Sequence, residues 1–349
     1  MAGAAGERRA PTIADVARLA GVSTGAVSYA MNDRPGVSAR TRERIRQAAA
    51  QLGWEPSGAA RALMRQSSQA VGLVVAATHL MTGNDFFAAF VTGLEQALSR
   101  RDFALLLRAV GAEPQAELLA YRRMWQQHQV DGVIVGDVRT DDARLAFLAE
   151  VGMPAVVVDR LTAGPAGFRT LDSDHPAGVR HAVRHLVGLG HRRVAFVGGP
   201  PRLRHVADRY GAWRAALAGA GAEPGPVAYE EATERGGIRA TRAVLAARPR
   251  PTAIVYTSDL MAIAGLGAIR SAGLAVPDDV SVVGFDDVRL AAYLTPPLTT
   301  VRVDYVRLGR SCAELLLAVL AGEDPPEPPP VPADLVVRGS TAPPPTAPR

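Results

Sequence analysis

Seven short runs that are apolar from end to end leave this chain few folds to choose from. VGLVVAA begins at Val71, FALLLR at Phe103, GVIVG at Gly132 and AVVVD at Ala155. A second set follows, with RRVAFVGG at Arg192, TAIVYTS at Thr252 and VSVVGFDD at Val280. A strand with one wet face alternates apolar and polar residues, whereas a strand apolar throughout is covered on both faces, as in parallel sheets. Segments of helix length separate the runs, which parallel neighbours need as crossovers. The two sets predict two doubly wound subdomains of similar design in an α/β protein.

The runs begin only after residue 70, and what precedes them is of another kind. Residues 12–32, TIADVARLAGVSTGAVSYAMN, read as two short helices joined by a tight turn. Thr12 with Asp15 three residues on makes a capping-box-like start. Ile13, Val16, Ala17 and Ala20 fall on one stripe, Gly21 ends the helix, and Ser23 caps the next. In that second helix Val27, Ala30 and Met31 form the inner face. Thr24, Gly25, Ser28, Tyr29 and Asn32 are left outside, a small, hydroxylated and aromatic surface without acids that suits a DNA major groove. A third helix starts at Val37-Ser38 and buries Ile45, Ala48, Ala49 and Leu52. Gly53-Trp54-Glu55-Pro56 follows, then a short small-residue helix around Arg61 and Leu63.

Charge follows the same division. The formal net charge is +5, and residues 1–70 hold ten Arg against five acids, so the whole excess lies there. The remaining residues balance at 29 Arg and 29 acids. Such a concentration is what binding to phosphates by counterion release requires. At 349 residues the chain fits two or three domains. A single cysteine, Cys312, excludes an internal disulfide and suits a reducing compartment. No apolar run reaches membrane-spanning length, and MAGAAGERRA lacks the apolar core of a signal peptide, so a cytoplasmic, nucleoid-associated protein with no membrane partner is expected.

The order T-I-x-D-V-A-x-x-A-G-V-S, V-S-x-x-x-N, V-S-x-x-T-R and P-x-x-x-A-R-x-L, over about sixty residues, resembles the headpiece and hinge of the lactose repressor family of bacterial transcription factors. Residues 71–340 resemble that family's periplasmic-binding-protein-like effector domain. The landmarks are Asn84-Asp85-Phe86-Phe87, Asp174 with Gly178, Gly190-His191-Arg192-Arg193, Ser258-Asp259-Leu260-Met261-Ala262, Val283-Gly284-Phe285-Asp286-Asp287 and Pro297-Leu298-Thr299-Thr300. The implied organisation is a disordered arm over 1–11, a helix-turn-helix headpiece over 12–57 and a hinge helix with linker over 58–69. An effector-binding and dimerisation domain over 70–340 follows, then a disordered tail over 341–349. Lobe 1 takes about 70–169 plus 299–330, and lobe 2 about 170–298 plus 331–340, with crossings near 170, 299 and 331.

The resemblance places Thr24, Gly25 and Tyr29 against base edges. It places Thr12, Ser23, Ala26, Ser28, Asn32, Ser38 and Thr41 where the family holds phosphates or fixes register. Arg61 and Leu63 fall in the hinge helix, where Leu63 matches the leucine that wedges the minor groove. Ala26 stands where Thr is usual and Tyr29 where Arg is common. One hydroxyl contact is thereby lost, and the bidentate reading of guanine is not available to Tyr. In the effector cleft the resemblance implies Phe86, Phe87, Asp159, Arg209, Trp213, Ser258 and Asp286. Two carboxylates and a guanidinium suit vicinal hydroxyls. The expected effector is a sugar or sugar derivative, with a purine-like corepressor as the alternative.

No nucleophile–base constellation stands out, and Gly198-Gly199-Pro200 lacks the ending of a phosphate loop, so no enzyme and no cofactor are expected. His181 and His185 have chelate spacing but no third ligand, so no metal is expected. The sequence reads as a homodimeric repressor on a pseudo-palindromic operator, controlled by a small effector. The rival reading, a solute-binding protein of a transport system, conflicts with the basic headpiece. An enzyme on an α/β fold would have to show turnover with a sugar.

Overall fold

A computed structural model of the chain describes residues 9, 11–55, 67–77, 85–111, 113–159 and 167–345. The hinge expectations, Arg61 and Leu63 included, lie outside the described residues. The chain divides into two compact units, Met1–Ser68 and Gln69–Arg349.

The first unit is three helices, α1 (Ile13–Ala20), α2 (Thr24–Met31) and α3 (Ala39–Leu52). Their apolar stripes meet in one small core of Val16, Ala17, Ala20, Val27, Ala30, Ile45, Ala48 and Ala49. Between α1 and α2 the chain turns at Gly21, whose φ of 61° a side chain would resist. Asp33, Arg42 and Arg46 tie the loop after α2 to α3. Arg42 Nη1 donates to the Ala30 carbonyl at 3.0 Å and to Asp33 at 2.8 Å, and Nη2 donates to the Arg34 carbonyl at 2.9 Å.

The second unit holds two sheets. The first has the order β2-β1-β3-β4-β5, all parallel, from β1 (Ala70–Ala76), β2 (Ala104–Val110), β3 (Gly132–Val135), β4 (Ala155–Val158) and β5 (Arg169–Leu171). Helices α4 (Asp85–Leu98), α5 (Pro114–Gln126) and α6 (Ala143–Glu150) connect them. The second sheet has the order β11-β10-β9-β8-β6-β7. Its strands are β6 (Arg193–Gly198), β7 (Glu223–Tyr229), β8 (Ala253–Tyr256), β9 (Ser281–Asp286), β10 (Thr299–Val303) and β11 (Ala333–Val336). Only β10 and β11 run antiparallel. The helices here are α7 (His175–Gly188), α8 (Arg204–Gly219), α9 (Glu234–Ala246) and α10 (Asp259–Ser271). All seven apolar runs lie in strands. The edge strand β7 was not foreseen, because Pro224, Gly225 and Pro226 break its pattern, and proline is tolerated only at such an edge.

The last long helix, α11 (Tyr305–Leu320), returns to the first lobe and packs on α4. The approach depends on two glycines: a Cβ on Gly93 would lie 2.0 Å from the Val306 carbonyl oxygen, and one on Gly309 would lie 2.1 Å from that of Phe90. The chain therefore crosses between lobes three times. Two of the crossing segments pair with each other, Val331 N–H donating to the Asp172 carbonyl and Asp174 N–H to the Val331 carbonyl, both at 2.9 Å. The remaining crossing falls at Asp304 rather than near 299. Residues 299–303 bond to β9 and β11 in the second sheet, so they belong to lobe 2 and not to lobe 1.

The end of the chain also departs from expectation. Residues 341–345, expected to be disordered, lie against lobe 2. The Ala342 N–H donates to Ser281 Oγ at 3.0 Å, the Ala342 carbonyl lies 2.9 Å from His191 Nε2, and Thr341 Oγ1 lies 2.9 Å from His185 Nε2. Hydrogen bonds to the buried Ser281 and His191 hold this segment in place.

Candidate functional site

In the first unit the outward face of α2 follows from its inner one. With Val27 and Ala30 buried, Thr24, Gly25 and Tyr29 are exposed, Tyr29 by 46%. Ala26, Ser28 and Asn32 are half-buried at the edges of that face. Ser23 Oγ accepts the Ala26 N–H at 3.2 Å, which fixes the start of the helix. Several of the hydroxyls expected at phosphates are already in use. Thr12 donates both its N–H and its hydroxyl to Asp15 Oδ2, at 2.9 and 2.7 Å, and these bonds hold the Asp15 carboxyl below its ordinary pKa. Ser38 Oγ accepts the Thr41 N–H at 3.2 Å and lies 2.9 Å from Thr41 Oγ1. The Asn32 amide donates to the Ser28 carbonyl. Arg34, Arg40 and Arg44 are exposed and enter no ion pair among the described residues, so their charge faces solvent.

In the second unit the expected effector residues collect at the C-terminal ends of the strands, where open α/β sheets bind ligands. Asp159 follows β4, Ser258 follows β8 and Asp286 ends β9. Arg209 reaches in from α8. Its Nη1 donates to the Thr257 carbonyl and its Nη2 to His175 Nδ1 at 3.0 Å, while its Cζ stands 3.6 Å over the Phe285 ring. Asp286 Oδ1 accepts the Tyr305 hydroxyl at 2.7 Å, and the Tyr305 ring meets Phe86 at 5.2 Å. Five chain segments thus converge on a guanidinium and a carboxylate.

Burial pushes the Asp286 carboxyl up to about 6, against the opposing pull of Arg209 and the Tyr305 hydroxyl. Its backbone has φ 116° and that of Asp287 has φ 53°, conformations that side chains rarely adopt and that cost energy. Asp287 is fastened by Arg302 and Arg338, each at 2.6 Å. Beneath them Asp259 is wholly buried. It accepts from Thr300 Oγ1 at 2.6 Å and from the Val288 N–H at 2.9 Å. Burial, then the neighbouring Asp286, raise its carboxyl well above the ordinary range.

One expectation needs revision. Trp213 does not line a cleft: it is fully enclosed, its ring against Phe196 at 5.4 Å and Tyr210 at 5.6 Å. Four residues after Arg209 it sits a turn further along α8, on the side that faces the sheet. Ser258 caps α10, its Oγ accepting the Met261 N–H at 3.3 Å. Phe86 and Phe87 are half-buried on α4, and Asp159 is buried with 5% exposure. Sequence reasoning missed His175, Thr257, Asp259 and Tyr305. Only Asp259 left a local sign, as the acid after a serine cap.

Six buried donors among the described residues have no hydrogen-bond partner, and two of them, Arg209 Nε and Trp213 Nε1, lie on α8. The two lobes also touch on either side of this cluster. The Arg204 N–H donates to the Val138 carbonyl at 2.8 Å, and the Arg289 N–H to Asp85 Oδ2 at 3.1 Å. Behind Val138, Arg139 and Arg144 share the buried Glu117.

Residues 12–57 match the model of bacterial regulatory proteins of the lacI family, and residues 183–341 match that of periplasmic binding protein-like domains. The HTH-type transcriptional regulator CelR of Thermobifida fusca is 36% identical over 320 residues, covering 90% of this chain and 94% of that protein. A solved CelR–cellobiose complex superposes with a TM-score of 0.73 at 34% identity, covering 95% of this chain and 99% of that one. The Lac repressor dimer bound to operator and the anti-inducer ONPF superposes with a TM-score of 0.83 at 28% identity, covering 96% and 100%.

Proposed function

The chain belongs to the lacI family of bacterial regulatory proteins and is a DNA-binding transcriptional regulator with an effector domain, and from that premise we propose how its own residues divide the work. Thr24, Gly25 and Tyr29 read base edges, with Ser23, Ala26, Ser28 and Asn32 beside them on the backbone. Tyr29 offers one hydroxyl and an apolar ring, so its preference differs from a bidentate reading of guanine. Thr12, Ser38 and Thr41 set the pose of the headpiece, since their hydroxyls are committed to neighbouring groups. The exposed Arg34, Arg40 and Arg44 supply charge to phosphates. Arg61 and Leu63 complete the contact in the minor groove.

Arg209 and Asp286, with Phe86, Phe87, Asp159 and Ser258, receive the effector. The observation that carries this reading is the convergence of a nearly buried guanidinium and a carboxylate against aromatic rings at the ends of the strands. A carboxylate accepts from, and a guanidinium donates to, adjacent hydroxyls, while apolar rings cover a sugar's C–H face. A carbohydrate is therefore the effector, and an oligosaccharide of the cellobiose kind is the first candidate. No reaction is assigned to the chain, and its place of work is the cytoplasm, on the nucleoid.

Effector controls operator affinity only through different affinities for two arrangements of the lobes, and the coupling is reciprocal. The test is calorimetry of the full chain against cellobiose, other disaccharides and purine bases, followed by gel shift on its own upstream DNA with and without the ligand that binds. Saturable binding of a sugar that changes the shift supports the reading. Binding of a purine alone, or of a sugar that leaves the shift unchanged, overturns it.

A further inference from the structure

We propose that His175 is the positioning residue of the effector site, a hydrogen-bond acceptor that aims Arg209 and ties it to the segment crossing between the lobes. Arginine has five donors and no acceptor, so the 3.0 Å contact from Arg209 Nη2 requires a bare Nδ1 on His175. The ring proton then sits on Nε2, and Ser173 Oγ lies beside the ring, 2.8 Å from Nε2 and 3.4 Å from Nδ1. Ser173 is in the crossing segment itself, bridged to Val331 of the other crossing strand. The imidazole thus braces the guanidinium from the residue that directly follows the crossover, where Asp174 N–H bonds to the Val331 carbonyl.

Several independent features hold that ring neutral. It opens α7, where the unpaired N–H groups of a helix start disfavour a cation. Arg209 faces it from α8, and His205 on the same helix stands 6.3 Å away between ring centroids. On its own element the charged neighbours are Asp174, which caps the helix by accepting the Ala177 N–H at 3.0 Å, and Arg180, 3.8 Å from Asp174. From β9 the Phe285 ring packs at 5.5 Å, the same ring that carries the Arg209 guanidinium. Burial, then Arg209, then His205 keep the imidazole well below its ordinary pKa. A charged ring would turn Nδ1 into a donor and place two cations in contact.

The proposal predicts a particular tautomer, so it has a test that needs no ligand. In nitrogen-15 NMR of the full chain, His175 is expected to be neutral at pH 6 with the proton on Nε2. Arg209→Met is expected to bring its titration back toward the ordinary histidine range. A cationic His175 at pH 6, a proton on Nδ1, or a titration unmoved by Arg209→Met overturns the proposal.

The second arm rests on the carbohydrate reading above and uses cellobiose as probe, with affinity measured by calorimetry at pH 7.5. His175→Leu removes the acceptor and is expected to weaken binding about tenfold. His175→Asn keeps an acceptor oxygen near the place of Nδ1 and is expected to cost about threefold. Equal losses in the two variants, or none in either, overturn the positioning role. Melting temperatures are read alongside, and if His175→Leu fails to fold, the NMR arm decides. If the unmodified chain does not bind cellobiose while the NMR result is as expected, the choice of sugar fails and the positioning role stands.

Discussion

The two units of this molecule build their sites in opposite ways. The headpiece presents residues that are neighbours in sequence: Ser23 through Asn32 supply a cap, an inner face and an outer face within a single short helix and its ends. The effector unit brings His175, Arg209, Thr257, Asp286 and Tyr305 together from five separate elements, and no two of them share a local pattern. In the first case one helix's periodicity decides what faces outward. In the second, sheet order and the lobe crossings decide it. The difference makes the headpiece's chemistry sensitive to its small core, and the cleft's chemistry sensitive to single polar groups.

That contrast is broken most readily at Ile45. It is fully buried in a core of eight residues, so Ile45→Ala is expected to cost about 3 kcal/mol, a large fraction of what so small a unit has. Operator binding in a gel shift is expected to disappear while sugar affinity measured without DNA stays within about twofold, because the effector unit has its own cores. Equal loss of both activities would show that the units are not separable. Arg209→Ala probes the other side. Removing this 5% exposed guanidinium leaves Asp286 buried without its cation, and sugar affinity measured by calorimetry is expected to fall about a hundredfold, near 3 kcal/mol. Retained affinity would remove the cleft from the proposed function.

Asp286→Asn gives a smaller effect with a definite sign. Its folded pKa of about 6 lies above the unfolded value near 3.8, so the folded state holds the proton longer. The associated stability is fully present below the unfolded value and lost as pH rises through 6. At pH 7.5 the neutral Asn, which still accepts from Tyr305, is expected to stabilise the effector unit by about 1–3 kcal/mol, and at pH 4 by nearly nothing. Thermal melts at the two pH values check this, and a variant less stable at pH 7.5 would contradict it. The smallest expected change is Tyr29→Phe, which deletes one exposed hydroxyl. About 1 kcal/mol of operator affinity, fivefold in a titration, is expected to go from some base sequences and not others. A uniform loss across sequences would move Tyr29 from reading bases to holding backbone.

Much of the fold was legible because its signals are short-range. The runs from Val71, Gly132, Ala155 and Val280 are strands for the reason they are apolar: both faces are covered. Thr12, Gly21 and Ser23 stand where capping chemistry puts them. The crossing at Asp304 was misplaced because Thr299–Val303 has no feature assigning it to one sheet over the other, and register with β9 decides that. Trp213 was placed in the cleft by resemblance, but on α8 it packs into the sheet-facing aromatic cluster with Phe196 and Tyr210. His175 and Tyr305 left no trace because their partners are remote in sequence, Tyr305 reaching Asp286 across the lobes, and a histidine before proline looks like any helix start. The tail beyond 340 reads as proline-rich coil, yet its backbone bonds to Ser281 and His191, a tertiary contact that composition does not show.

The three crossings also bear on the order in which the molecule can be made. Helix Tyr305–Leu320 belongs to the first lobe's core, and β10, β11 and the Ser340–Ala342 strap belong to the second. During synthesis the three-helix headpiece has every contact it needs once about its own length has left the ribosome, and domains complete in this way fold first. The first lobe cannot close its core until Leu320 has been released, nor the second until Ala342 has. The part that grips DNA is therefore finished long before the part that restrains it.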